Sequence, residues 1–520
     1  MSKRFFFSLV GVLVLFSMIL TACGTPAPAP VVEAPATEAP TEAPMAPFEP
    51  MVVAAPDCTY AGEGMGFKSV EAVDQYTVKF TLCLPDPAFP SKVAFSVFSI
   101  LDKDFLDETQ GDSVVISENP VGTGPYKLVE WVRGDNVTLE ANPEYWGEPA
   151  KVKTLIFRWS EQSAQRLLEL QSGTVDGIDN PGPDDFPTIE ADANLKLYER
   201  DGANIFYIGF NNKFPPFDKV EVRKAFAMAI DRQRIVDQYF PKGSSVATNF
   251  VPDFFNPGAS ADIPWYEYNK DEAKKMLEDA GFDFNQTITL SYRNVNRAYL
   301  PLPDKVVVEI QAQLKEIGVN VQLEEMESAA FIDATSAGQK AFYLLGWNMD
   351  YPDATNFFDY HFATPANAQF GDLFPDLVSE INAGAVIADP AERQKHYDQV
   401  NTLLKEYVPM IPVAHGGSAT AFKGSVEGAH ASPLGNEVFA VMNNGADQLV
   451  WMQNGEPAAL WCSDETDGET LRACEQIFDA LLAFEVGGAE VIPNLAEKFE
   501  ANAELTEWTF TLRQGVKFSN

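Results

Sequence analysis

Basic residues, histidine and cysteine are scarce in this chain of 520 residues. Lys and Arg number 37 against 75 Asp and Glu, so the formal net charge is −38. Proteins that bind nucleic acid or an anionic lipid surface need a basic footprint, so we expect neither kind of partner. Only 4 histidines and 5 cysteines are present. The chain therefore has little material for a zinc-rich or multi-metal protein, and we expect no metal site and no cofactor.

Sequence signatures of catalysis are absent as well. The chain has no G-x-S-x-G, H-E-x-x-H, Walker loop or C-x-x-C, and no two histidines stand at i, i+4. The G-x-G at residues 122–124 lacks the third glycine of a dinucleotide fingerprint and is interpreted as a turn. A secreted hydrolase would need a nucleophile or a selected carboxylate pair, which the sequence does not indicate, so we expect no enzyme.

Long apolar runs are confined to the amino terminus. Residues 5–20 are mostly apolar, which is short for a membrane span and typical of a secretory signal. The following residues, 20–23 (LTAC), match a lipobox in which Cys23 receives a lipid; the alternative is a plain signal peptide with an incidental cysteine. Residues 24–50 contain eight prolines and predict an extended tether. We expect an exported protein, lipid-anchored at the outer face of the cell membrane or in the periplasm.

Four cysteines remain if Cys23 carries a lipid. An oxidising compartment favours two disulfides. The local pairings, Cys58 with Cys83 and Cys462 with Cys474, are one of three possible connectivities. Buried free thiols are the alternative.

Strand-like and helix-like segments alternate through the rest of the chain. Strands are predicted at residues 77–82, 154–159, 205–210, 287–292 and 319–323. Helices are predicted at residues 222–238, 271–280, 304–317 and 391–407. The helix at 304–317 stands between two of these strands, and such a βαβ unit favours parallel pairing. The fold class is therefore α/β, in two lobes.

Several stretches carry a more specific pattern. They are NPVGTGPYKLVEW from Asn119, NPEYWG from Asn142, LQSGTVDG from Leu170, GFNNKFPPFDKVEVRKAFAMAIDRQRIV from Gly209, YNKDEAKKMLEDAGF from Tyr268 and IQAQLKEIGVNVQL from Ile310. In this order they resemble the family 5 solute-binding proteins of ABC importers, which bind dipeptides, oligopeptides or nickel. The resemblance implies the large periplasmic-binding-protein type II fold, with two lobes, a hinge and an extra small subdomain. It also implies an ABC permease and ATPase as partners, and we expect a monomer.

The order of the segments departs from that family. The residues from Asp447 onward (DQLVWMQNGEPAALWCSDETDG) resemble the first strand of the family and the loop after it. We therefore predict a circularly permuted chain with an incomplete small subdomain; the alternative is a fusion or a broken reading frame. The expected parts are residues 51–118 in the small subdomain, 119–204 in lobe 1, 205–415 in lobe 2, 416–487 returning to lobe 1, and 488–520 in the small subdomain.

The resemblance also implies binding residues. The segment AFYLLGWNMDYPDATNFF from Ala341 resembles the strand that crosses the ligand cleft of the family. Asp350 matches the aspartate that receives the α-ammonium of a peptide, and Trp347 would pack against the ligand. Arg297 matches an arginine that takes the ligand carboxylate in dipeptide binders, and Arg293 could replace it. The alternatives are a turn residue for Asp350, core packing for Trp347 and a surface loop for Arg297.

The opposite wall of the cleft is expected from the loop at residues 456–460, with Ala459, and from Trp461. Tyr207 and Asn211 are interpreted as hinge or core residues. Together, Asp350 and Arg297 predict a ligand with one positive and one negative end, which is a short peptide. Nickel, a metal chelate or a sugar are the alternative ligands, and a sensor or scaffold without transport is the alternative role.

Overall fold

The computed structural model describes residues 48–58, 66–364, 367–465 and 467–520. The predicted lipidation site, Cys23, and nearly all of the predicted tether lie outside these residues. Residues 49–520 belong to one unit, which contains all the helices and strands named below. Within the described ranges, no helix is both long enough and apolar enough to cross a bilayer.

The strands of the described residues are numbered in chain order. They are β1 (Met51–Ala54), β2 (Phe67–Asp74), β3 (Thr77–Leu82), β4 (Tyr126–Val132), β5 (Asn136–Ala141), β6 (Thr154–Trp159), β7 (Gly177–Asp179), β8 (Leu195–Arg200), β9 (Asn204–Phe210), β10 (Ser245–Val246), β11 (Thr287–Arg293), β12 (Asn320–Met326), β13 (Phe342–Asn348), β14 (Met410–His415), β15 (Ser418–Lys423), β16 (Gln448–Gln453), β17 (Leu482–Phe484), β18 (Val491–Pro493), β19 (Ala496–Ala501) and β20 (Glu507–Leu512).

The α-helices are numbered in the same way. They are α1 (Phe89–Ala94), α2 (Lys103–Thr109), α3 (Ser113–Glu118), α4 (Ser163–Ser172), α5 (Phe186–Ala191), α6 (Val220–Ala229), α7 (Arg232–Tyr239), α8 (Lys270–Asp279), α9 (Pro303–Glu316), α10 (Ser328–Ser336), α11 (Thr355–Phe358), α12 (Pro375–Ala385), α13 (Pro390–Tyr407) and α14 (Gly468–Cys474).

Three sheets organise the molecule. Lobe 1 is built on the sheet β4-β5-β6-β16-β7-β15-β8, and lobe 2 on the sheet β10-β14-β9-β13-β11-β12. The small subdomain is built on the sheet β1-β2-β3-β20-β19. Each sheet has its own apolar core. The chain is therefore a mixed α/β protein of two lobes and a subdomain, as the sequence predicted.

The local predictions were confirmed at most positions. The strands predicted at 77–82 and 154–159 are β3 and β6, and the predicted βαβ unit is β11-α9-β12, whose two strands pair in parallel. Asn269 begins α8, and its side chain accepts a hydrogen bond from the Glu272 amide. These elements follow from strong periodicity and capping, which act over a few residues.

The single helix predicted at 222–238 was wrong, because the chain forms two helices there. The backbone of Ile230 is extended, with ψ of 114°, which ends α6. The Asp231 side chain then accepts a hydrogen bond from the Arg234 amide at 3.0 Å and begins α7. An aspartate supplies this kind of cap at a helix start, and the apolar periodicity on either side masked the break.

The carboxyl-terminal part of the chain supplies central strands rather than an appendage. β16 lies between β6 and β7 in the lobe 1 sheet and is parallel to both. Its Trp451 is fully buried. β20 pairs with β3 in the small subdomain, and Phe510 packs edge-on against Phe80 there. Both sheets would therefore be interrupted without residues 447–520.

The G-x-G at residues 122–124 has a structural reason. A Cβ added at Gly124 would lie 2.6 Å from the backbone oxygen of Ile477. The Gly124 amide also donates a hydrogen bond to that oxygen at 2.8 Å. The glycine thus allows lobe 1 to approach the backbone of the carboxyl-terminal segment, which no side chain would permit.

The buried core of the small subdomain takes in residues from two separated parts of the chain. Leu481, Leu482 and Phe484 pack in its core with Leu82 and Phe89. This core therefore begins before residue 488, the boundary expected from the sequence.

The two disulfides in the structure each join a cysteine to the next described cysteine along the chain, 25 and 12 positions away. Cys58 is bonded to Cys83, and Cys462 is bonded to Cys474. The second of these ties the loop after β16 to the end of α14.

Candidate functional site

A cavity lies where lobe 1, lobe 2 and the carboxyl-terminal segment meet. Lobe 1 contributes Asp179, at the end of β7, and lobe 2 contributes Arg297 and Asp350 from the loops after β11 and β13. The carboxyl-terminal segment contributes Asn454, directly after β16, and Glu469 on α14. The carboxyl ends of several parallel strands thus face one space, which is where ligands bind in open α/β sheets.

Asp350 is held at this cavity by one neighbouring amide. The Asp350 carboxylate accepts a hydrogen bond from Asn356 Nδ2 at 2.9 Å, and the Asp350 amide donates to Asn356 Oδ1 at 3.0 Å. Burial raises the pKa of Asp350 from 3.8 to about 6, and the Asn356 hydrogen bond only partly opposes this. Among the described residues, no Lys or Arg forms an ion pair with it. The site therefore holds a carboxylate whose charge is not balanced by any Lys or Arg of the described residues.

Trp347 does not line the cavity. Its indole nitrogen donates to Asn356 Oδ1 at 3.1 Å, and its ring stacks on Tyr360 with centroids 4.9 Å apart. Trp347 and Asp350 therefore share the same amide, and the tryptophan orients the group that holds the carboxylate. Asn356 was missed by the sequence analysis. The signal for it was weak, since it is one asparagine in the short helix α11, followed directly by two phenylalanines.

Arg297 lines the same cavity as Asp350, but acidic side chains already engage it. Its Nη1 lies 3.0 Å from Glu469 Oε1, and its Nη2 lies 3.6 Å from Asp467 Oδ1. The charge of Glu469 is the main reason why the pKa of Arg297 is raised. Burial and the neighbouring Glu469 raise the pKa of Asp467 to about 7. Arg293 points elsewhere, since it donates to Ser328 Oγ and Tyr299 Oη.

Ala459 and Trp461 do not line the cavity either. The carboxyl-terminal segment instead presents Glu469, Arg472 and Glu475. These three were missed, although their spacing of three residues is that of one face of a helix. Of the five predicted binding residues, the structure brings Asp350 and Arg297 together at the cavity and leaves Trp347, Ala459 and Trp461 outside its lining.

A closed network of buried charges lies beside the cavity. Arg200 Nη1 is 2.8 Å from Asp179 Oδ1, and a second ion pair joins Arg200 to Glu437. Arg472 lies 3.1 Å from Asp179 Oδ2 and 2.9 Å from Glu437 Oε2. Burial alone would raise the pKa of both carboxyl groups, but the two arginines lower it on balance. The network ties lobe 1 to α14, and its charges cancel.

Tyr207 and Asn211 lie in lobe 2, away from the cavity lining. The Tyr207 hydroxyl donates to Gln369 Oε1 at 2.7 Å, and Tyr207 is fully buried. Asn211 donates to the carbonyl oxygens of Gly338 and Ala368. Both are core residues of lobe 2.

Within the part of the chain that the structure describes, no three His, Cys, Asp or Glu side chains form a metal-ligand group.

Comparison with known proteins yields one consistent family. The profile of bacterial extracellular solute-binding proteins, family 5 Middle, matches residues 45–369. The dipeptide-binding protein of Escherichia coli (strain K12) is 27% identical over 390 residues, which is 72% of either chain. HbpA2 from Haemophilus parasuis, a solved structure, is 32% identical with a TM-score of 0.60, over 73% of this chain and 76% of that one.

A further solved structure shares the fold. The dipeptide-binding protein of a Pseudoalteromonas species in complex with Met-Leu has a TM-score of 0.69 at 24% identity. The match covers 73% of this chain and 76% of that one.

Proposed function

The chain belongs to the bacterial extracellular solute-binding proteins of family 5, and we propose that it binds short peptides and delivers them to an ABC importer. The single observation that carries the proposal is Asp350, a buried carboxylate in the cavity between the lobes that has no cationic partner among the described residues. The dipeptide-binding relatives support the same class of ligand.

A peptide amino terminus fits Asp350 for a physical reason. An ammonium taken out of water needs a charged acceptor, and charge-assisted hydrogen bonds are the strong ones. In the ligand-free protein the Asp350 carboxylate is buried with the Asn356 amide as a hydrogen-bond partner but with no cation among the described residues. A bound ammonium supplies that cation. Arg297 is available to the other end of the peptide only in competition with Glu469 and Asp467.

The proposed mechanism is closure rather than chemistry. Asp350 and Arg297 belong to lobe 2, whereas Asp179 and Asn454 belong to the lobe 1 sheet or its edge. A ligand contacts both sets only when the lobes are together. Contacts made only in the closed form shift the population toward it. The closed receptor then docks on the permease, with ATPase subunits on the far side of the membrane.

Export and anchoring are part of the proposal. The family is extracytoplasmic, and the residues 20–23 favour a lipid on Cys23, with residues 24–50 as a tether. The receptor then works as a monomer close to the membrane that holds its importer.

We also propose that the chain is a circular permutation of the family order. The central position of β16 between β6 and β7 supports this, as does the pairing of β20 with β3. If residues 447–520 were a partial second copy, residues 51–446 would already contain strands at the positions of β16 and β20. They do not, since the carboxyl-terminal segment supplies both strands.

The test is calorimetric titration of the body from residue 46 onward. A panel of di- and tripeptides is compared with the same peptides acetylated at the amino terminus, and with nickel–histidine, haem and sugars. We expect the free peptides to bind and acetylation to weaken binding by at least about 30-fold, because truncating one side of a buried charge pair costs about 2 kcal/mol or more. Equal binding of acetylated peptides, or tight binding of a non-peptide alone, would contradict the proposal.

A further inference from the structure

The arginines that line the cavity are all engaged by acidic side chains. Arg200 and Arg472 belong to the closed network with Asp179 and Glu437. Arg297 is paired with Glu469 and lies close to Asp467. Among the described residues that line the cavity, every arginine is therefore paired with a protein anion, and none is left free for a ligand.

The cavity wall also carries a hydrogen-bond acceptor that takes no part in these ion pairs. Glu475 lines the cavity, and Asn436 Nδ2 donates a hydrogen bond to its Oε1 at 3.3 Å. Burial raises the pKa of Glu475 to about 7. No Lys or Arg forms an ion pair with it in the described chain. Glu475 thus resembles Asp350 as a carboxylate on the cavity wall that forms no ion pair with a described Lys or Arg, although the charge of the nearby Arg472 acts on it.

A second observation, independent of the acidic residues, concerns Asn454. This side chain is 5% exposed and lines the cavity. Its Oδ1 has no hydrogen-bond partner in the described part of the chain. A buried amide oxygen without a donor costs stability, so it calls for an N–H group from outside the protein.

We propose that this cavity selects peptides of net positive charge, with the amino terminus at Asp350 and a basic side chain at Glu475. The inference rests on the proposed function and narrows its ligand class. Asn454 accepts an N–H of the same ligand. A ligand carboxylate gains little, because it would have to displace Glu469 or Asp467 from Arg297. The zwitterionic ligand expected from the sequence is therefore replaced by a cationic one.

The charge of the ligand is varied first, with the unmodified protein. Dipeptides of alanine with lysine, methionine or glutamate, in both orders, are titrated calorimetrically. Lysine and methionine have similar length, so their comparison isolates the charge. We expect the better lysine dipeptide to bind at least about tenfold more tightly than its methionine counterpart, and the glutamate dipeptides to bind most weakly.

The residue is tested next with Glu475→Gln, which keeps an acceptor for Asn436. The preference for lysine over methionine should fall to within about twofold, because the substitution removes the charge that distinguishes the two ligands. Glu108→Gln, an exposed glutamate on α2, is the matched control and should keep the preference. The thermal unfolding midpoint shows whether each variant is folded. The comparison of ligands on the unmodified protein stays valid even if a variant does not fold.

The outcomes separate the two proposals. If peptides bind without regard to charge, or if Glu475→Gln keeps the lysine preference, the inference is overturned while the peptide receptor stands. If no peptide of any charge binds, both are overturned.

Discussion

Asp350→Asn should raise the free energy of unfolding of the ligand-free protein and weaken its binding of peptides. The substitution keeps the shape of the side chain and an oxygen that can accept the hydrogen bond from Asn356 Nδ2, which is 2.9 Å away in the structure. It removes only the negative charge. A residue that serves the fold would lose stability on such a change, whereas a residue that serves a ligand should gain it.

The expected gain in the free energy of unfolding follows from the raised pKa of Asp350. Asp350 has a pKa of about 6 in the folded protein against an ordinary 3.8, and the difference corresponds to about 3 kcal/mol at roughly 1.4 kcal/mol per pH unit. Because the folded-state pKa is raised, the ionised group destabilises the fold. The penalty is absent below pH 3.8, grows between there and about pH 6, and is complete above it. Partial exposure reduces it, so we expect a gain of about 1 to 3 kcal/mol at pH 7.5.

The assay is denaturant unfolding at pH 5 and pH 7.5, with peptide titration at pH 7.5. The variant should be more stable than the parent at pH 7.5, with a smaller advantage at pH 5, and should bind free peptides at least about 30-fold more weakly. Asp262→Asn, at an exposed aspartate, is the control and should change neither property. A variant that is less stable than the parent at pH 7.5, or one that binds peptides as tightly as the parent, would contradict the proposed role of Asp350.

Two further predictions concern the carboxyl-terminal segment. Replacing Cys462 and Cys474 by serine should lower peptide affinity about tenfold, because that disulfide holds the end of α14, directly before Glu475 on the cavity wall. Replacing Cys58 and Cys83 should lower stability alone, and equal affinities in the two double variants would contradict this. Deleting residues 447–520 should abolish cooperative unfolding measured by circular dichroism, since β16 is central to lobe 1; a cooperative transition in the deleted chain would show that the strand is dispensable.

The buried charge network explains why the carboxyl-terminal segment matters to both fold and site. Glu437 and Arg472 come from one end of the chain, and Asp179 and Arg200 from its middle. Removing one member would leave an uncompensated buried charge. The same α14 that completes the network presents Glu469 to the cavity, and Glu475 follows directly after it.

Local structure was predictable wherever neighbouring residues decide it. β3, β6 and the β11-α9-β12 unit follow from alternation, from helical periodicity and from Gly318 just after the helix. The break at Ile230 and Asp231 was missed because the apolar pattern continues across it. The family was predictable for a different reason, since its quoted stretches occur in family order over most of the chain.

Composition and local pattern were enough for the fold class and the acidic character of the chain, and the resemblance to the family predicted Asp350 as a binding residue. The pairing of Arg297 with Glu469, 172 positions away, and the contact of Trp347 with Asn356 instead of the cavity became visible in the folded chain. The position of Glu475 at the cavity became visible in the same way. Periodicity and caps act between near neighbours, whereas the charge balance of a site depends on which distant segments the fold brings together.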